Sequence, residues 1–194
     1  NRFLQKKFGG TLLPHCRDTE ILNPLKFNVN DIKEKMGLMG KKILMFLGTP
    51  RPHKGIDDLL MAFNKIDNPD LNLVIIGVEN QQKFLNKIEA SVKDRVMILP
   101  KTPFNKLPEF LSVADIIVIP QRQTSDSVGQ IPARLFDAMC MAKPILATRV
   151  SDIPEVLGEC GYLVEPNEPL KLADAVKYIL SHFDEAQNKG RAAR

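Results

Sequence analysis

Two cations and a hydroxyl crowd into Gly48-Thr49-Pro50-Arg51-Pro52-His53-Lys54-Gly55, directly ahead of an apolar stretch that opens at Ile56 with helical spacing. A helix N-terminus presents unpaired backbone N–H groups and the positive end of its dipole, so cations placed there form an anion site, and phosphate is its natural occupant. Lys54 adjoins the helix start and is the better phosphate ligand of the two cations; His53 reads as a turn residue. The loop contains neither Gly-Lys-Ser/Thr nor Gly-x-Gly-x-x-Gly, which excludes a Walker A loop and a dinucleotide fingerprint. The competing reading is a rigid proline-rich turn whose cations are merely solvated.

A second segment, residues 125–140, has the chemistry to complete such a site. Pro132 suits the first position of a helix, where its missing N–H is no loss, and it leaves the amides of the following residues at the entrance, behind the polar stretch Ser127-Val128-Gly129-Gln130-Ile131. Asp137 falls about one turn further in, among Leu135, Phe136, Ala138 and Met139, where a bare carboxylate needs a partner. Arg134, three residues earlier on the same face, is the structural candidate. The functional candidate is a pair of sugar hydroxyls, which an acidic residue accepts in dinucleotide folds. Both can hold together.

These segments need a frame. Short, wholly apolar β-branched runs at Ile43–Leu47, Leu73–Ile76, Val96–Leu99, Ile116–Ile119 and Ile145–Ala147, with a weaker one at Tyr162–Val164, read as strands buried on both faces. Between them lie helical stripes: Ile56, Leu59, Leu60, Phe63 and Ile66; Phe84, Leu85, Ile88 and Val92; Leu107, Phe110, Leu111 and Ala114; and finally Leu172, Val176, Ile179, Leu180 and Phe183. The alternation predicts an α/β fold, a Rossmann-like doubly wound parallel sheet of about six strands, whose ligands sit beyond the carboxyl ends of the strands. The loops after the second and third strands, with Gly77 and with Lys101-Thr102, would line the same crevice. Residues 41–183 are expected to form this domain. Residues 1–40, broken by Gly9-Gly10, Pro14 and Pro24 with a short helix at Asp31–Met36, read as the end of a preceding domain and a linker, and residues 184–194 as a C-terminal tail.

Composition narrows the class. The 194 residues are 44% hydrophobic and 26% charged, which is ordinary for a globular domain and excludes a disordered or fibrous chain. A net charge of only +4, with the basic residues scattered, favours a local anion site over a nucleic-acid-binding face. Three cysteines without CxxC or Cys/His spacing indicate neither a disulfide framework nor a zinc site and fit a reducing, cytoplasmic setting. No run approaches the length of a membrane span.

Taken together the residues resemble the GT-B glycosyltransferases of family 4, also called group 1, whose usual signature is Glu-x7-Glu. The resemblance runs from about residue 1 to residue 183. It rests on Gly48-x5-Lys54-Gly55, on Ala114-Asp115 before the fourth strand, and on Asp137-Ala138-Met139-Cys140-Met141-Ala142-Lys143-Pro144, which is similar to the family's Glu-Ala-Met-Ala-x-Gly-Lys-Pro. Ser151-Asp152-Ile153-Pro154-Glu155 and Gly161-Tyr162-Leu163-Val164 follow in order. The resemblance implies the carboxy-terminal, donor-binding half of a two-domain enzyme, with the amino-terminal half supplying most of the acceptor site.

By the same resemblance Lys54 binds the donor phosphates and Asp137 the ribose hydroxyls, while Thr102 and Leu107 flank the base. Thr49 stands where the family has an arginine, which leaves Arg51 as the second cation. Gly129 stands where the first glutamate would be; recognition of the transferred sugar then falls to Asp126, Ser127, Gln130 or backbone groups such as those of Ile131. The segment Gly129–Asp137 resembles a variant branch with Pro-x-Lys/Arg-Leu-Phe-Glu that often lacks this acid. The implied function is retaining, metal-independent transfer of a hexose from a nucleotide diphosphate sugar, with UDP favoured, to a saccharide or lipid-linked acceptor, as in polysaccharide biosynthesis. The nucleotide sugar is a co-substrate, no cofactor or metal is expected, and the parent protein would work in the cytoplasm or as a peripheral protein at the inner face of the cell membrane. The chain alone would be inactive. The alternatives are a non-catalytic nucleotide-sugar-binding module and a GT-B nucleotide-sugar epimerase.

Overall fold

The computed structural model describes residues 1–13 and 15–194; Pro14, one of the expected breakers, and the side chain of Lys83 lie outside the described residues. Six strands, β1 (Lys42–Leu47), β2 (Leu71–Ile76), β3 (Val96–Leu99), β4 (Ile116–Ile119), β5 (Ile145–Thr148) and β6 (Tyr162–Val164), form one sheet in the order β3-β2-β1-β4-β5-β6. Every pairing is parallel, as expected for apolar runs buried on both faces. The order reverses between β1 and β4, which places a crevice beyond Leu47 and Ile119.

Successive strand residues serve two cores. Leu44, Phe46, Leu73, Ile75, Ile116 and Val118 face one; Ile43, Met45, Val74, Ile76, Ile117 and Ile119 face the other. The first is covered by α3 (Ile56–Phe63), α4 (Gln81–Leu85) and α8 (Pro169–Ser181), the second by α2 (Val29–Lys35), α5 (Leu107–Val113), α6 (Ala133–Cys140) and α7 (Ile153–Leu157). The expected stripes are the buried faces: Ile56, Leu59, Leu60, Phe63 and Ile66 are all enclosed. The stripe Phe84, Ile88, Val92 is buried too, but it is carried by the short α4 and a 3-10 run over Ala90–Arg95 in place of one helix. Fourfold spacing reports a buried face and does not require an unbroken helix to provide it.

The flanking pieces hold more structure than their composition implied. A short helix, α1 (Arg2–Phe8), opens the chain with no buried residue, and Leu22, Ile32 and Leu38 are enclosed in the second core. Of residues 184–194, read as a tail, all but the last belong to a final helix, α9 (Phe183–Ala193). It packs through Ala186 and Gly190; a Cβ on Gly190 would come within 2.6 Å of the Ala142 carbonyl oxygen. An interface of alanine and glycine has almost no hydrophobic signal, so periodicity passes over it.

At the N-terminal ends of the strands Asp115 ties the two halves of the sheet together. Its Oδ2 accepts from the Ile43 amide at 2.8 Å and from Lys33 Nζ at 3.1 Å, and Lys42 Nζ lies 3.4 Å from Oδ1. The resemblance-bearing Ala114-Asp115 pair therefore has a structural task, at the end of the sheet opposite the crevice.

Candidate functional site

From the end of β1 the chain turns at Gly48 (φ +114°), passes through Thr49-Pro50-Arg51, makes a 3-10 turn over Pro52–Lys54, and enters α3 through Gly55 (φ +68°). The loop is fixed on both sides. The Gly48 amide donates to the Ile76 carbonyl at 2.8 Å, and the Arg122 amide donates to the His53 carbonyl at 2.8 Å. Gly77 (φ +108°) packs its backbone on Gly48, where a Cβ would meet the Gly48 carbonyl carbon at 2.8 Å. Gly55 lies against the end of β4, where a Cβ would fall 1.7 Å from the Pro120 carbonyl oxygen. Both glycines allow backbone segments to approach more closely than any side chain permits.

Between this loop and the start of α6 lies a cavity of about 350 Å³, lined in part by Lys54, Gln130, Ile131, Arg134 and Asp137. Lys54 is half-buried, and its ammonium pKa is lowered to about 8, first by desolvation and then by the positive charges of Arg134 and Arg51. Arg134 is 7% exposed. Its Nη1 donates to the Leu47 carbonyl at 2.8 Å and its guanidinium lies 4.7 Å from the centre of the Phe46 ring, while Nε and Nη2 have no partner among the described residues. Burial lowers its pKa to about 10, so it keeps its charge at neutral pH. Among the described residues no carboxylate is within ion-pair distance of Lys54, Arg51 or Arg134. The walls are cationic and want an anion.

The pairing of Arg134 with Asp137 expected from their spacing does not form. Asp137 is buried and its Oδ1 accepts from Arg17 Nε at 2.5 Å. Arg17 comes from the segment ahead of the domain, and its Nη2 also donates to the Ala133 carbonyl at 3.3 Å. Arg134 instead reaches past the helix to the end of β1. Asp137 Oδ2 keeps its acceptor capacity.

The other expected site residues are dispersed. Thr49 and Arg51 line a separate groove of about 330 Å³ beside β2, together with Asp57, Val78 and Glu79. Gly129 faces a larger, more apolar hollow of about 560 Å³ between α1 and α6, shared with Leu4, Leu12, Ile131 and Phe136. The space a side chain at Gly129 would enter holds Leu4, 3.4 Å from an added Cβ. Ser127 is fully buried and its hydroxyl is spent within its own loop, donating to the Arg122 carbonyl at 2.6 Å and accepting from the Thr124 amide at 2.8 Å. Leu107 packs into the second core. Lys101 is exposed and Thr102 half-buried beyond β3, two strands from β1.

A crevice at the switch point, beyond the carboxyl ends of the strands, is where open α/β sheets hold their ligands. The model of the family described as "Glycosyl transferases group 1" matches residues 41–182. The chain belongs to that family. N-acetyl-alpha-D-glucosaminyl L-malate synthase of Bacillus anthracis is 28% identical over 177 residues, covering 87% of this chain and 44% of its own length. Sucrose-phosphate synthase of Thermosynechococcus elongatus has the same fold, with a TM-score of 0.81 at 22% identity over 99% of this chain and 50% of its own. HepE of Anabaena, solved with UDP-glucose, gives a TM-score of 0.76 at 15% identity over 91% of this chain and 49% of its own. The chain spans less than half the length of the curated relatives it matches, and its sheet has the Rossmann-like fold of these solved structures.

Two ion pairs that brace this group 1 site cannot be found by spacing. One is Arg17 with Asp137; the other joins Arg122, after β4, to Asp58 in α3, with Nη2 2.5 Å from Oδ1 and Nε 2.7 Å from Oδ2. The bidentate bond to Asp58 raises the Arg122 pKa, and it clamps the helix behind Lys54 to the strand across the crevice. Replacing Arg122 by methionine leaves the buried Asp58 carboxylate alone and is expected to destabilise the domain by about 2 kcal/mol. Urea denaturation checks this; a loss below about 0.5 kcal/mol, the level of an exposed pair, rejects the clamp. Among the described residues no group of three His, Cys, Asp or Glu side chains is placed to hold a metal, and no helix is long and apolar enough to cross a membrane.

Proposed function

We propose that this chain is the donor-binding half of a retaining, metal-independent hexosyltransferase that uses a UDP-sugar. The observation that carries the reading is the cavity at the β1–β4 switch point, with Lys54 and Arg134 on its walls and no carboxylate among the described residues paired to either. UDP-glucose is bound by HepE, a structural neighbour. In this reading the diphosphate lies between Lys54 and the entrance to α6, and a ribose hydroxyl donates to Asp137 Oδ2 while Arg17 holds Oδ1. Arg51, one loop turn away, adds positive potential that already acts on Lys54.

The bond from the sugar C1 to the β-phosphate oxygen breaks with its electron pair leaving on the phosphate, and the acceptor hydroxyl oxygen bonds to C1. The acceptor's proton passes to the departing diphosphate, which can take it on the same face as the attack, so configuration is retained without a protein nucleophile. Preorganised cations and helix-entrance amides stabilise the growing charge where other enzymes use a divalent ion. The acceptor, a saccharide or lipid-linked saccharide, is assigned to the rest of the parent protein, working in the cytoplasm or at the inner face of the cell membrane. Gly129, with Leu4 against it, favours a second reading in which the parent binds the nucleotide sugar and transfers nothing.

Thermal melts with UDP, GDP and ADP test the donor assignment, because a ligand that binds only the folded state raises the melting temperature. UDP is expected to give the largest rise, and Asp137→Asn to reduce it. A chain that melts at the same temperature with all three nucleotides is not a donor-binding half. Turnover of a UDP-sugar by the parent separates transferase from binding module.

A further inference from the structure

We infer that Arg134, and not Arg51, is the second cation of the diphosphate site, its unpaired Nε–H and Nη2–H being the donors that phosphate oxygens of the bound ligand accept. The inference rests on the donor reading above and names a residue for it. A guanidinium carries five N–H donors in a planar fork that fits phosphate oxygens two at a time. Here the residue is 7% exposed, Nη1 is committed to the Leu47 carbonyl, and Nε and Nη2 are buried without an acceptor among the described residues. Buried ionised donors are almost always satisfied, and an exception needs a reason. The nearest candidate partner in sequence, Asp137, is held by Arg17.

The surroundings say where the missing acceptor belongs. A Cβ built on Gly48 would lie 3.3 Å from Lys54 Nζ and 3.5 Å from Arg134 Nη1, so two cations flank the same small space above a backbone with no side chain. Their mutual repulsion is felt by Lys54, whose pKa falls in part because of Arg134. Like charges held this close are reconciled by an anion between them. The Phe46 ring, 4.7 Å from the guanidinium, fixes its plane. Arg51, in contrast, is exposed and lines a groove with two carboxylates, Asp57 and Glu79. The arginine absent at Thr49 has thus been replaced from the opposite wall, by a residue on α6 whose guanidinium returns to the end of β1.

Calorimetric titration of the chain with inorganic pyrophosphate and with UDP decides this. Arg134→Met keeps the bulk over Phe46 and is expected to weaken both ligands about tenfold or more, with a smaller loss for Arg51→Met. Wild-type affinity for pyrophosphate in Arg134→Met, or a larger loss in Arg51→Met, overturns the assignment. If pyrophosphate binds through Arg134 and UDP does not bind, the nucleotide reading fails and the Arg134 assignment stands; if the unsubstituted chain binds neither, both fail. Should Arg134→Met not fold, the Nε–Hε resonance of Arg134 in the unsubstituted chain, identified by its absence from Arg134→Lys, supplies the answer. It is expected to move on saturation with pyrophosphate, and an unmoved resonance overturns the inference.

Discussion

Gly55→Ala is expected to destabilise the domain by about 3 kcal/mol or more, among the largest effects of a single methyl group anywhere in this chain. Two penalties combine. The residue sits at φ +68°, where a side chain is strained, and its Cβ would overlap the Pro120 carbonyl oxygen at 1.7 Å. That oxygen belongs to backbone at the end of β4 and cannot rotate away as a side chain could. The loop or the strand must shift, and either movement pulls Lys54 from the cavity wall. Chemical denaturation checks the stability, and titration with a nucleoside diphosphate checks the site. Gly37→Ala is the informative comparison: its φ is also +68° but nothing lies within 4 Å of its Cβ, so it isolates the cost of the backbone angle. Equal losses at the two positions would refute the close approach.

Lys54→Met is expected to reduce nucleoside diphosphate affinity by about 2–3 kcal/mol, on the order of 50-fold or more. It should also raise the stability of the unliganded chain, because it removes one of the cations that repel across Gly48. Affinity and stability moving in opposite directions is the mark of a side chain kept for binding. The same residue sets a pH dependence. Unfolded, Lys54 holds its proton up to its ordinary 10.5; folded, it releases it from about 8. Between those values the unfolded chain binds more protons, so the contribution of Lys54 to stability increases as pH rises. Ligand affinity goes the other way, falling as pH rises through about 8, because only the ammonium form attracts phosphate. Binding near pH 8.5 should take up a proton, visible as a dependence of the calorimetric heat on the buffer's ionisation enthalpy. A heat independent of buffer would mean that Lys54 is not at the phosphate.

The strands were legible because strands buried on both faces read as short, wholly apolar runs, as Ile116–Ile119 and Ile43–Leu47 do. The loop carrying Lys54 was legible because cations, prolines and a glycine before an amphipathic stretch are a local pattern. What could not be read was pairing across the sheet. Arg134 and Asp137 are three residues apart and were expected to meet, yet each is drawn to something nearer in space: Arg134 to the Leu47 carbonyl, Asp137 to Arg17, 120 positions away. A guanidinium is long enough to leave its own helix, so spacing along α6 constrains its Cα and not its charge. Helix α9 escaped for a different reason: Ala186 and Gly190 bury well because they are small, and small residues carry little pattern. Ser127 shows the reverse error, a hydroxyl in a polar loop that turns inward to hold the loop together.

The bond from Arg17 to Asp137 makes one carboxylate common property of the strap ahead of the domain and of the cavity. A shared acceptor is a thermodynamic gearbox. Whatever free energy a ligand gains or loses because Arg17 is in place, the strap gains or loses in its seating on α6 when that ligand binds, by the same amount and with the same sign. The position of the segment that precedes the domain and the occupancy of the cavity are therefore two readings of a single balance.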